Sequence, residues 1–443
     1  MGGKEAIQQL AIHPEVVPSL KAPFEMVLRK GYKKDDKCLR NEICVLINYV
    51  VSCPDSHKFF LQSDGGDECI LEQMITYAVY DEMNGERTQP IFNVTDEDLE
   101  LKKLFWTQMF SVCHDAHNVE AHSIMMQKNF LRALLLYLDP TAIQSNPVIS
   151  RWALPQLFEL QIHSLNIISH LVPLVPQHFH EINGHKVLAA FLIKYTDVPR
   201  RKAALMALLA TSFFDFFKVE LMQCDLVKTL LDLIQHQTEA GTLQIRELSF
   251  NILSYISKDC RANQQAFRRL GGIEILKDNM QNGEVDQSGN AITFSLATLD
   301  CLKNAIFGNK RSELHFLDVE GVQILLDLIE TCDYTLKRIA LSCLCTILEN
   351  QKSFQYFMEW NSHKSSLNAT QLLIKLYQEE NARFGVRFEK GILLDVERPL
   401  LPKLSYLIQK YANEDDVNGM SRQSDLQPRQ ASAEDSHQAM DDG

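Results

Sequence analysis

The sequence predicts an all-α chain of stacked helical repeats, and three observations carry that reading. Apolar residues return every three or four positions through "RRKAALMALLATSFFDFF" (200–217), "IRELSFNILSYIS" (245–257), "AITFSLATLDCLKNAIF" (291–307) and "TLKRIALSCLCTILEN" (335–350). That is the period of a helix with one buried face. A second phrase recurs: "DLVKTLLDL" (225–233), "GGIEILKDN" (271–279) and "EGVQILLDL" (320–328) align Val227, Ile273 and Val322 at steps of 46 and 49 residues. Between the two kinds of helical text lies a short piece carrying an aromatic: Phe267, Phe316, or Phe354 with Phe357.

A long helix, a short linking helix and a second long helix, at about 40–47 residues per unit, is the armadillo or HEAT format. Looser copies upstream are "GHKVLAAFL" (184–192), "NFLRALLLYL" (129–138) and "GDECILEQM" (66–74), and "NATQLLIKLY" (368–377) lies downstream. The expected fold is therefore a superhelical solenoid of about seven repeats over residues 1–380. One unit cannot cover its own apolar faces, but stacked neighbours can. The glycines of "LGGIEIL" and "VEGVQIL" are expected at a sharp bend, where glycine tolerates positive φ.

The breaks are legible too. "YDEMNGERTQPIFNVTDEDLE" (80–100) and "DPTAIQSNPVIS" (139–150) are polar and turn-rich, so loops are expected there. After about residue 381 the helical period gives way to alternation around Gly385 and Gly391, which predicts a hairpin-like segment before a final helix at 401–412. Residues 413–443 hold eight acidic residues, two arginines and no aromatic. A disordered acidic tail is expected.

Composition narrows the function. The chain is 46% hydrophobic and 23% charged with net charge −13, the make-up of a folded domain. An acidic chain without basic blocks argues against a large nucleic-acid footprint. No apolar run approaches a membrane span, and the start "MGGKEAIQQL" has no secretory h-region. Eleven cysteines without a C-x-x-C pair, mostly in apolar helical text, suit a reducing compartment.

Candidate chemistry is thin. "CHDAHNVEAH" offers Cys113, His114, His117 and His122, and "QHFHEINGH" offers His178, His180 and His185. A structural zinc site needs four converging ligands, and no second cluster completes either set, so polar connectors are expected. No phosphate-binding glycine loop and no G-x-S-x-G occurs. The reading is of a protein without catalytic residues, cofactor or small-molecule substrate. Of the three tryptophans, Trp106, Trp152 and Trp360, two are expected in the core.

Arrays of this kind commonly bind along the face lined by each unit's last helix. Its polar positions here are Lys228, Asp232, Glu274, Asp278, Gln323 and Asp327, mostly acidic and without a regular Asn/Trp ladder. Arg200, Arg201 and Lys202 at a helix start oppose the macrodipole and form a second candidate grip for an acidic partner.

The words outside the repeat pattern carry a resemblance. "KEAIQQL" (4–10), "LELKKL" (99–104), "FELQIHSL" (158–165), "FSLATLD" (294–300), "LLIKLYQEE" (372–380) and above all "GVRFEKG" (385–391) are similar to the cilia- and flagella-associated protein 69 family, in order, over about residues 4–395. The resemblance implies a structural, armadillo-type component of a C1 projection of the axonemal central apparatus, needed for ciliary and flagellar motility. Its partners would be other projection proteins, with the tubulin lattice a further candidate. It also implies that Met1 falls where family members are already mid-array. The alternative is a soluble cytosolic adaptor that binds extended peptides in its groove. Without an upstream repeat, Ile7, Leu10, Val17, Leu20, Phe24 and Val27 are expected to leave an apolar face exposed at the amino end.

Overall fold

The computed structural model describes residues 15–30, 34–63, 68–84, 94–236, 242–281, 289–384 and 400–411, with residues 9, 11 and 13 beside them. After α1 (Val16–Lys30), helices follow in triplets, each opening on a long helix. The first triplet is α2 (Lys34–Val51), α3 (His57–Phe60) and α4 (Ile70–Ala78), trailed by α5 (Tyr80–Asn84). The second is α6 (Asp96–Cys113), α7 (Val119–Gln127) and α8 (Phe130–Leu136), trailed by α9 (Pro140–Ser145). Next come α10 (Leu154–Leu171), α11 (Pro176–Glu181) and α12 (Gly184–Lys194), then α13 (Val198–Ser212), α14 (Asp215–Gln223) and α15 (Leu226–His236). The fifth is α16 (Leu243–Ser257), α17 (Arg261–Arg269) and α18 (Gly272–Gln281), and the sixth α19 (Gly289–Ala305), α20 (Lys310–Asp318) and α21 (Gly321–Thr331). The last triplet, α22 (Tyr334–Ile347), α23 (Ser353–Glu359) and α24 (Ala369–Phe384), precedes α25 (Leu400–Tyr411).

The chain packs as two compact units that meet in sequence at Glu313 and Leu314. In the first, each triplet's long helix lies on the next one's: α2 on α6, α6 on α10, α10 on α13, α13 on α16 and α16 on α19. Third helices run behind them, with α15 against α18. In the second unit α21 packs on α22 and α23, and α25 on α22 and α24. The apolar columns read from the sequence become this core. Val227, Ile273 and Val322 are all buried second residues of third helices.

At the turn before five of the third helices, the expected positive-φ glycine is found at Gly271 but not at the other four. The residue with positive φ is Asn129, Asn183, Asp225, Gly271 or Glu320, at φ 59, 58, 56, 77 and 65°. Only Gly271 among them is a glycine. Gly184, Gly272 and Gly321 come one residue later, as the first helical residue, and lack a side chain for another reason. A Cβ on Gly272 would lie 2.7 Å from the Phe267 ring, and on Gly184 and Gly321 it would strike Phe179 and Phe316. In the second and fourth triplets the same pair of positions is Met125 with Phe130 and Leu221 with Leu226, all buried. Bulk on the second helix is thus matched by its absence on the third, as close packing requires.

Other expectations need correction. Residues 139–150 are not a simple loop: Pro140 opens α9, with Asp139 accepting from the Thr141 amide at 2.8 Å, a proline-started, capped turn of helix. The 80–100 segment is helical at both ends, in α5 and α6. α24 runs to Phe384, past the expected break near 381. The hairpin-like alternation after it and the acidic tail from 413 lie outside the described residues.

At the amino end Val17 and Phe24 are buried, because α1 lays its apolar stripe on α2 and Phe24 meets Phe105 edge-on at 5.8 Å. Leu20 is half-buried. The side chains of Ile7, Leu10 and Val27 lie outside the description. All three tryptophans are buried, one more than expected.

Candidate partner-binding faces

On the third helices, α15 buries Leu226, Val227, Leu230, Leu231, Leu233 and Ile234, so the stripe through Lys228 and Asp232 turns outward and is exposed. α18 repeats the pattern with Glu274 half-buried and Asp278 exposed. α15 and α18 are neighbours, so these four stand on adjacent third helices of the first unit. In the second unit Gln323 is half-buried and Asp327 exposed. Asp327 is partly committed to the fold, accepting from the indole Nε1 of buried Trp360 at 2.9 Å. That pairing spans 33 residues and has no local signal.

Arg200, Arg201 and Lys202 stand on α13, a first helix. Asp197 caps that helix from the Arg200 amide at 3.1 Å and pairs with the Arg200 guanidinium at 2.6 Å. Its carboxylate offsets the unfavourable charge that the sequence places there. Arg200 also donates to Gln161 at 3.0 Å and lies 4.1 Å from the Tyr195 ring centre. Arg201 donates to the Tyr195 carbonyl at 3.2 Å. Lys202 is exposed. Two of the three cations therefore serve packing.

The histidine texts do the same. His122 is buried with Nε2 2.9 Å from the Cys113 carbonyl oxygen. His180 and His185 stack at 5.4 Å and share Glu220, whose carboxylate oxygens lie 2.9 and 2.6 Å from their Nε2 atoms. Burial holds His185 below the ordinary histidine pKa against the pull of Glu220. Among the described residues no three His, Cys, Asp or Glu side chains are grouped to hold a metal ion, and no helix is long and apolar enough to cross a membrane. All eleven cysteines are free thiols. Burial pushes Cys113 up to about 12, and also Cys44, there against the nearby Arg40.

An open groove of about 610 Å³ runs between α6 and α10, walled by Asp96, Glu100 and Glu159 over Leu99 and Leu104. Lys103 bridges it to Glu159 at 2.8 Å. Its residues come from separate triplets, so no contiguous motif announces it.

Comparison with known proteins agrees with this architecture. A family profile described as cilia- and flagella-associated protein 69, ARM repeat, matches residues 1–196 and 204–413. The Mus musculus cilia- and flagella-associated protein 69 is 24% identical over 436 residues, and the Homo sapiens protein 25% over 435, each alignment covering 90% of this chain. The chain spans 44% of the length of these relatives. Among solved structures, Uso1-2 superposes with a TM-score of 0.60 at 11% identity, over 91% of this chain and 63% of that one. An engineered protein superposes with 0.51 at 14% identity, over 92% and 94%. With its helical triplets and a profile match along nearly the whole described array, the chain belongs to the cilia- and flagella-associated protein 69 armadillo-repeat family.

Proposed function

We propose that this protein is a non-enzymatic scaffold of the ciliary or flagellar axoneme, a component of a C1 central-apparatus projection needed for motility. The observation that carries the reading is the family match along both halves of the array. The use of candidate ligand residues as packing groups supports it: His122 on a carbonyl, His180 and His185 on Glu220, Cys113 in the core. Its partners are other projection proteins, with the tubulin lattice a further candidate. The proposed contact residues are Lys228, Asp232, Glu274 and Asp278 on the first unit and Gln323 and Asp327 on the second. Lys202 remains open to solvent beside the committed Arg200 and Arg201.

Fractionation tests the location. Cilia extracted first with detergent and then with high salt should retain the protein through the detergent step and release it with salt, which screens exposed ionic contacts. Release into the detergent-soluble fraction would indicate the soluble adaptor instead. Cells lacking the protein should show lost projection density and an altered beat; an intact projection with normal motility would overturn the reading.

A further inference from the structure

An exposed ring stands at the C-terminal end of five successive first helices of the first unit. They are Tyr49 on α2, His114 just past α6, His170 on α10, Phe213 just past α13 and Tyr255 on α16. Each lies within two residues of its helix end. Tyr49 and Phe213 are 52% and 53% exposed, so the core does not require them. Rings on adjacent helices touch: His114 lies 5.8 Å from His170, both against Phe110, and Phe213 meets Tyr255 edge-on at 4.6 Å. Because these contacts join C-terminal ends to C-terminal ends, the paired helices point the same way, and their partial negative charges line the same edge.

The turns and helix start that follow add Asp55, Asp115, Asp215 and Asp259, all exposed. Opposing them, Lys218 pairs with Asp215 at 2.7 Å, Lys258 stands beside Asp259, and Lys58 lies on α3. Asp115 accepts from the His117 amide at 2.9 Å, which leaves its charge in place. The ring faces of Tyr49, Phe213 and Tyr255, the carboxylates and the helix C-termini favour a cation. Helices packed at about 8–10 Å set the spacing, and an extended chain advances about 3.3 Å per residue. A cation at every third residue of such a chain would meet successive rings.

We propose that this edge docks an extended, arginine- or lysine-rich segment of a partner protein, by stacking its cations on the ring row between the aspartates. The surface is distinct from the third-helix positions, and it stands whether the array serves an axoneme or a soluble assembly.

The test is anisotropy of a fluorescein-labelled Arg-Gly-Gly repeat peptide against the full chain, with a Glu-Gly-Gly repeat as control. The arginine peptide should bind and the glutamate peptide should not. Phe213→Ala with Tyr255→Ala should weaken binding roughly tenfold. Asp115→Asn with Asp259→Asn should weaken it and flatten its salt dependence. Asp232→Asn with Asp278→Asn, on the third helices, should leave it unchanged. All six residues are exposed, and unchanged helicity and melting temperature would verify that the variants fold. No binding, equal binding of the glutamate peptide, or a loss confined to the third-helix variant would overturn the proposal. Those outcomes leave the scaffold reading intact, since that reading stands or falls on retention in the axoneme.

Discussion

Asp98 shows how single residues tie the first triplets together. It is fully buried on α6, with Lys37 and Arg40 of α2 at 2.6 and 3.0 Å. Burial raises its pKa, but the hydrogen bonds from Lys37 and Arg40 outweigh that and hold the carboxyl below its ordinary value. Asp98→Asn should cost about 3–5 kcal/mol at neutral pH, because two buried cations lose their counter-charge. The sign follows from the depressed pKa: the ionised form's stabilisation is complete above about pH 4 and is lost as pH falls through the folded value. Urea titrations of both proteins should therefore converge on acidification; a gap that stays constant from pH 7 to strongly acidic pH would contradict this account. Thiols provide a second residue-scale check. Cys38 is exposed while Cys44, Cys113 and Cys301 are buried with raised pKa values. Iodoacetamide on the native protein should label Cys38 well before those three, as read by peptide mass spectrometry.

Among the elements, α1 and α9 show where sequence reasoning stops. The apolar spacing of α1 is plain in the sequence, but whether its stripe faces solvent depends on α2 and on Phe105, some eighty residues away. Amide exchange should therefore find α1 protected around Val17 to Phe24. Phe24→Ala should remove that protection at about 3–5 kcal/mol. Exchange as fast in the parent chain as in the variant would mean that α1 is not docked. For α9 the cues were present, since Asp139 and Pro140 form a helix start, but its six residues are too short to show a period. The long first helices were legible because fourteen or more residues display several turns of the apolar stripe. The outward third-helix positions were legible for the same reason, whereas the Asp327–Trp360 bond and the ring row arise only when helices are placed side by side.

At the scale of the molecule, stability should be passed between neighbours rather than shared by all. Leu253→Ala, deep in α16, should cost about 2–5 kcal/mol. Faster amide exchange should appear in α13 and α19, which touch α16, and fade by α2; a uniform change across the first unit would refute nearest-neighbour coupling. The repeat count was readable because the same burial problem recurs every 40-odd residues. The division near Glu313 was not, since the phrase on either side is unchanged. The matched positions on second and third helices carry a further consequence for anyone recombining this array. Phe179, Phe267 and Phe316 need a bare backbone opposite, whereas Met125 and Leu221 accompany Phe130 and Leu226. A second helix grafted from the α17 position into the α14 position would drive a phenyl ring into Leu226, and the reverse graft would leave a void beside Gly272. The triplets are look-alike bricks cut with two different dovetails, interchangeable only when both halves of the joint travel together.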